Sequence, residues 1–200
     1  ATAQIVLKQD FFNEVLKTIF RDMSAPSFAL TLTENREAQN SEKPAYAALQ
    51  SGDCDGRITL LPEGSGVQSA LNFQDGRIVA PLAFSGSYNS MFGCLRFSGW
   101  TQANLELRFD AAQQNVLGQL NIETVNLDGG AGLLGGIVTP LVQKTLNDRV
   151  NPIQILQAKQ IALNLPIAAT NGNMRANVKD VRSEIKDNAL NLYVIYELSG

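Results

Sequence analysis

The chain contains no histidine, and this removes more chemistry than any residue present adds. Histidine is the one side chain whose ordinary pKa lies near neutrality, and it is the commonest metal ligand. Serine–histidine and cysteine–histidine nucleophile pairs are therefore excluded, and with them most zinc sites. Charge is sparse: 18% of residues are charged, with 16 Lys and Arg against 19 Asp and Glu, a formal net charge of -3. Nucleic-acid binding depends on clustered cations facing phosphate, so no nucleic-acid partner is expected. No apolar run is long enough for a signal segment or a membrane span. A start at Ala1 without methionine fits either a processed, exported chain or a trimmed one. No recognisable nucleophile setting takes the place of the missing histidine, so neither an enzyme nor a cofactor is expected.

Cysteine is nearly absent too. Cys54 and Cys94 allow either one bridge or two reduced core thiols. The export-like start and the lack of a competing third cysteine favour a bridge, and with it a periplasmic or secreted location. Asp53, Asp55 and Gly56 beside Cys54 have the spacing of a calcium loop but lack its later ligands, so a turn is the simpler reading.

With 200 residues and 44% hydrophobic content, the chain can bury one sizeable core as a single domain over residues 1–200. Asp10 suits a helix N-cap, and Phe11, Phe12, Val15, Leu16, Ile19, Phe20 and Met23 recur at helical spacing opposite Glu14, Lys17 and Arg21. This predicts an amphipathic helix of three to four turns, ended by Ser24 to Pro26. The stripe could line a ligand site or simply be core. The polar segment from Glu34 to Pro44 is expected to be an exposed loop that can be shortened at little cost.

From Tyr46 onward the apolar period becomes two. Ile58 and Leu60; Val67, Leu71 and Phe73; Ile78, Ala80, Leu82 and Phe84; and Leu105, Leu107 and Phe109 each mark one face of a strand. Asp75 and Gly76 between two such runs predict a tight hairpin, and Asp187 with Asn188 a second. Between Leu120 and Leu127 the alternation slips by one residue, which a bulge near Glu123 and Thr124 absorbs. Ile161 to Ile167, Met174 to Val178 and Leu190 to Leu198 alternate again. Tyr193 and Ile195 fall on the outer face of the last strand, as a partner surface or beneath a covering layer. The line Arg175, Lys179, Arg182 and Lys186 reads as a solvated face.

The stretch from Leu133 to Val150 breaks this rhythm. Leu133, Leu134, Ile137, Val138, Leu141, Thr145, Leu146 and Val150 keep one stripe, predicting a continuous helix kinked at Pro140 and stopped by Asn151 and Pro152. The glycine-rich run before it, Asp128 to Gly136, lacks the Lys-Ser/Thr of a phosphate loop. It suits a hinge or a groove mouth. Many strands with one apolar face each, plus two striped helices, are best buried by a curling sheet. The expected fold is α+β, a long, highly curved antiparallel sheet wrapped around one long kinked helix plus the N-terminal amphipathic helix.

That order of elements resembles the tubular lipid-binding (TULIP) superfamily, in particular modules of the bactericidal/permeability-increasing type. Thr139 to Ile153 with the closing turn and strand is similar to the second half of such modules, and Ile5 to Leu16 to their start. The resemblance implies an apolar seam between helix and sheet that accepts a lipid or acyl chain, with transient membrane contact. The expected ligand-binding residues are Phe12, Leu16, Ile19 and Phe20 on the first helix and Leu133, Leu134, Ile137 and Leu141 on the second. The alternative is a structural or interaction protein of the same fold with a closed, ligand-free core. The oligomeric state is left open.

Overall fold

The computed structural model describes residues 1–22, 24–30, 54–90, 93–129, 135–167 and 172–199. The segment from Glu34 to Pro44, with its expected shortening, lies outside the described residues, as do Leu133 and Leu134. In chain order the elements are β1 (Thr2–Lys8), α1 (Gln9–Asp22), β2 (Ser27–Ala29), β3 (Arg57–Leu61), β4 (Glu63–Gly64), β5 (Val67–Gln68), β6 (Asn72–Gln74) and β7 (Arg77–Ser90). They continue as β8 (Gly93–Asp110), β9 (Asn115–Leu127), α2 (Gly135–Val150), β10 (Ile153–Gln157), α3 (Ala158–Ile161), β11 (Leu163–Ile167), β12 (Gly172–Lys186) and β13 (Ala189–Ser199).

The turns form where left-handed backbone is cheapest. Asp75 and Gly76, with φ of 51° and 72°, close the hairpin from β6 to β7, and Asp187 and Asn188, with φ of 53° and 57°, close that from β12 to β13. Positive φ at both central residues is the type I′ pattern, whose twist matches the flanking strands. Between β8 and β9 the register passes from Gln102↔Thr124 to Ala103↔Ile122. Glu123 is thus the extra residue of a bulge, where the slipped alternation predicts one, and a bulge sharpens twist locally.

All pairings are antiparallel, and the sheet curls into a half-barrel. The long hairpins β7–β8–β9 form the centre of one sheet, ordered β10-β9-β8-β7-β3-β2 with β6 also on β7. A second sheet runs β1-β13-β12-β11, and β4 and β5 make a small separate pair. The inner rows of both sheets meet in one core that includes Ile58, Phe84, Val116, Leu190 and Val194 together with Val138, Val142 and Leu146 of α2.

This corrects the expected fold in two respects. Among the described residues most lie in strands, with three short helices and no long kinked one. The strands also divide between sheets instead of wrapping one helix. The 16 residues of α2 span about 24 Å, whereas the 18 of β8 reach about 60 Å when fully extended. A helix of that length cannot serve as the axis of so long a sheet. Its setting shows what it does instead. Asn151 donates to the Leu120 carbonyl at 2.6 Å and accepts from the Leu120 amide at 2.6 Å. Asn147 accepts from the Ile122 amide, and Gln143 donates to the Ile122 carbonyl. β10 pairs with β9 only over Asn115 to Gly118, so these side-chain amides, spaced by four along α2 and just past its end, satisfy backbone groups beyond the end of β10.

Close approach elsewhere depends on glycine. A Cβ at Gly99, which pairs with Leu127 in the β8–β9 ladder, would overlap the carbonyl oxygen of Asn126. Backbone cannot give way as a flexible side chain does. Gly99→Ala is therefore expected to destabilise the fold by about 1–3 kcal/mol, the usual range for overpacking. An unchanged urea midpoint would contradict this packing.

Candidate functional site

The inner-face alternation of the strands leaves a hollow where α1 crosses the half-barrel. This cavity has a volume of ≈ 450 Å³ and is open on one side. One wall is the apolar stripe of α1: Phe11, Phe12, Val15, Leu16 and Ile19. The floor comes from Leu60 on β3, Leu71 before β6, Ile78, Ala80 and Leu82 on β7, Leu105 and Leu107 on β8, and Leu120 on β9. The far rim is the corner between α2 and β10, at Val150, Ile153, Gln154 and Ile155.

None of the residues of α1 is fully buried, and polar bonds add to the partial burial of Phe12 and Phe20 in holding it. The Asn13 side chain donates to the Leu71 carbonyl at 3.1 Å and accepts from the Leu71 amide at 2.8 Å. Gln9 accepts from the Phe73 amide at 2.8 Å, and the Phe12 ring meets Phe73 edge-on, with centroids 5.8 Å apart. Phe11 and Val15 stay 53% and 44% exposed at the opening. Removing the Asn13 carboxamide strands a partly buried amide and carbonyl on Leu71. Asn13→Ala is thus expected to cost about 1–3 kcal/mol and to speed amide exchange along α1 more than in β7. Uniform exchange rates in wild type and variant would refute this anchoring.

The lining has no ionisable side chain; its one polar member is Gln154. Such a surface can shelter an apolar guest from water and offer a single hydrogen-bonding group, and it holds nothing that could donate or take up a proton. Two other hollows differ in kind. The larger, ≈ 690 Å³, opens between the β6–β7 turn and the β12–β13 hairpin and is bordered by Arg77, Glu106 and Glu184. Another, ≈ 480 Å³, has Lys8, Asp10, Lys186 and Asp187 on its border. Charged walls retain water, so neither matches the apolar cavity as a site for a greasy ligand.

Of the expected ligand-binding residues, Phe12, Leu16 and Ile19 come together in the lining. Phe20 packs half-buried against the core outside it. On the α2 side, Leu133 and Leu134 lie outside the described residues. Ile137 is 52% exposed, and Leu141 packs against the core without reaching the cavity. The strand residues of the floor were legible as inward-facing from their alternation, but alternation does not say which inward positions face a void. Ile153 to Ile155 carried no such signal.

Cys54 and Cys94 are joined by a disulfide with Cα atoms 5.7 Å apart, as disulfide geometry requires. Beside it, Asp55 accepts from the Ser87 hydroxyl at 2.8 Å. Among the described residues no three potential metal ligands cluster, and no helix is long and apolar enough to cross a membrane.

Asp128 ties the β4–β5 turn to the end of the β8–β9 ladder. Its carboxylate accepts from Ser98 at 2.6 Å and Ser65 at 2.7 Å. The Ser98 and Ser65 hydroxyls hold its carboxyl below the ordinary aspartate value of 3.8. Because the folded value is the lower one, this contribution is complete above the unfolded value and is lost as pH falls through the folded value. Acidification below the ordinary aspartate range is therefore expected to loosen the turn, and Asp128→Asn to flatten that part of the stability–pH curve. Parallel urea titrations of wild type and variant from neutral to acid pH test this, and superimposable slopes would refute it.

The chain matches no family model, no curated protein and no solved structure.

Proposed function

We propose that this protein binds and carries a lipid or similar hydrophobic molecule in the cavity between α1 and the curled sheet. The observation that supports the reading is the lining itself. Sixteen of its seventeen residues are apolar, and the volume falls within the range of about 300–1,000 Å³ usual for small-molecule sites. Left empty, such a surface forfeits dispersion contacts that an apolar guest would restore. The disulfide is consistent with an oxidising environment, which supports work outside the cytoplasm, in a periplasmic or secreted setting. A helix laid across a curled antiparallel sheet over an apolar hollow also supports kinship with the tubular lipid-binding superfamily. On this reading Phe11 and Val15 at the opening meet the ligand, or a membrane surface, as it enters.

Native mass spectrometry of the purified protein, followed by organic extraction, tests the proposal. A bound hydrophobic species, or uptake of a fluorescent fatty-acid or phospholipid probe, is the expected result. A protein that is ligand-free as isolated and takes up neither these probes nor a fatty alcohol would overturn it in favour of a closed scaffold.

A further inference from the structure

Resting on that reading of the cavity, we infer that the ligand is a single-chain lipid whose head is uncharged and hydrogen-bonds to Gln154. Size carries the first half. The ≈ 450 Å³ available lies toward the lower end of the about 300–1,000 Å³ usual for small-molecule sites, and so suits one acyl chain better than two. A membrane phospholipid with two such chains needs about twice that space.

Chemistry carries the second half. A charged head at the opening would want an opposite charge, and no ionisable side chain lines the cavity. The carboxyl end of α2 at Val150 lies on the rim, and its partial negative charge disfavours a carboxylate or phosphate there. Asp10, in the first turn of α1, is exposed and adds the same sign. Arg149, one residue before Val150, is exposed and does not line the cavity. Gln154 is the exception in this wall. Its backbone is fixed by pairing with Leu117, while its exposed carboxamide makes no hydrogen bond within the described residues. A primary amide both donates and accepts, which suits a hydroxyl, an ester or another amide.

Binding of three matched probe sets to the full chain tests the inference: straight-chain alcohols of increasing length, the corresponding fatty acids at neutral pH, and a two-chain phosphatidylcholine. Affinity for the alcohols is expected to rise with length and level off once a single chain fills the cavity. The alcohol should bind at least about tenfold more tightly than its ionised acid or the phosphatidylcholine, since an unpaired charge or an unburied second chain must then be accommodated. Gln154→Leu should weaken alcohol binding about fivefold, the worth of one hydrogen bond, and leave a plain alkane unaffected. Equal affinity for phosphatidylcholine would overturn the single chain, and equal affinity for the acid the uncharged head. An unchanged alcohol affinity in Gln154→Leu would overturn the role of that side chain. Each of these results leaves hydrophobic carriage standing, whereas failure of every probe to bind removes the carriage reading itself.

Discussion

Replacing Cys54 and Cys94 together by serine is expected to lower the stability of the fold by about 4 kcal/mol in the chain-entropy model. The bridge joins residues 40 apart in sequence, and a cross-link of that span withdraws many conformations from the unfolded chain. The native contacts it reinforces exist without it. Cys94 opposes Asn89 in the β7–β8 ladder, while Cys54 leads into β3, which already pairs with β7 at Ile58↔Gly86. The loss should therefore come mainly from a freer unfolded state, with the folded structure little changed. For a chain of this length each kcal/mol shifts the midpoint by about 2–4 °C, so a fall of about 8–16 °C is expected. Calorimetry of the double-serine variant, with reduced wild type as a second sample, measures it. A fall below about 1 kcal/mol would mean that the unfolded chain is already constrained near these residues. Alkylation of both thiols in unreduced protein would show that the bridge is not formed.

What could be read from sequence was whatever neighbouring residues decide among themselves. The helix α1 has its stripe at three- and four-residue spacing, the turns at Asp75 and Asp187 need only two residues that tolerate positive φ, and the bulge at Glu123 shows as a slip in alternation. Partnership between distant strands has no such local record. Apolar alternation marks which face is buried, equally for a sheet around a helix and for sheets sharing a core. That ambiguity produced the expectation of one long sheet around a long helix. β10 was missed because Ile155 sits at a register shift that disrupts its two-residue period. The box in which Gln157 and Gln160 cap α3 uses glutamine where serine or threonine is the stronger signal. The spacing of Gln143, Asn147 and Asn151 is a local signal that runs beside the apolar stripe of α2. A polar row at four-residue intervals means a helix flank that must find partners, and here it found the backbone of β9. The cavity shares this limit. Its α1 wall was legible as a stripe, but that the whole α1 stripe faces a void while α2 reaches it only at Val150 depends on how the two helices sit against the sheets.

The same contrast between the helices yields the sharpest functional test. Leu16 is half-buried on α1 and lines the cavity, whereas Ile137 on α2 is 52% exposed and does not. A tryptophan at position 16 would project its extra bulk into space that a ligand otherwise fills. Leu16→Trp is therefore expected to reduce binding of a fluorescent fatty alcohol by at least about tenfold, the effect of losing more than one buried methylene's worth of contact. Its thermal midpoint should hold or rise, because a void is being filled with apolar surface. If the site were close-packed core, the same substitution would cost about 1–3 kcal/mol through overpacking. Ile137→Trp is the control. Its side chain already faces solvent, so both binding and stability should remain at wild-type values, surface substitutions usually falling within about 0.5 kcal/mol. A Leu16→Trp protein that unfolds early and binds as well as wild type would place the ligand elsewhere and remove α1 from the site. Equal loss of binding in both variants would mean that the first turn of α2 also borders the ligand, through a movement that brings Ile137 to the opening.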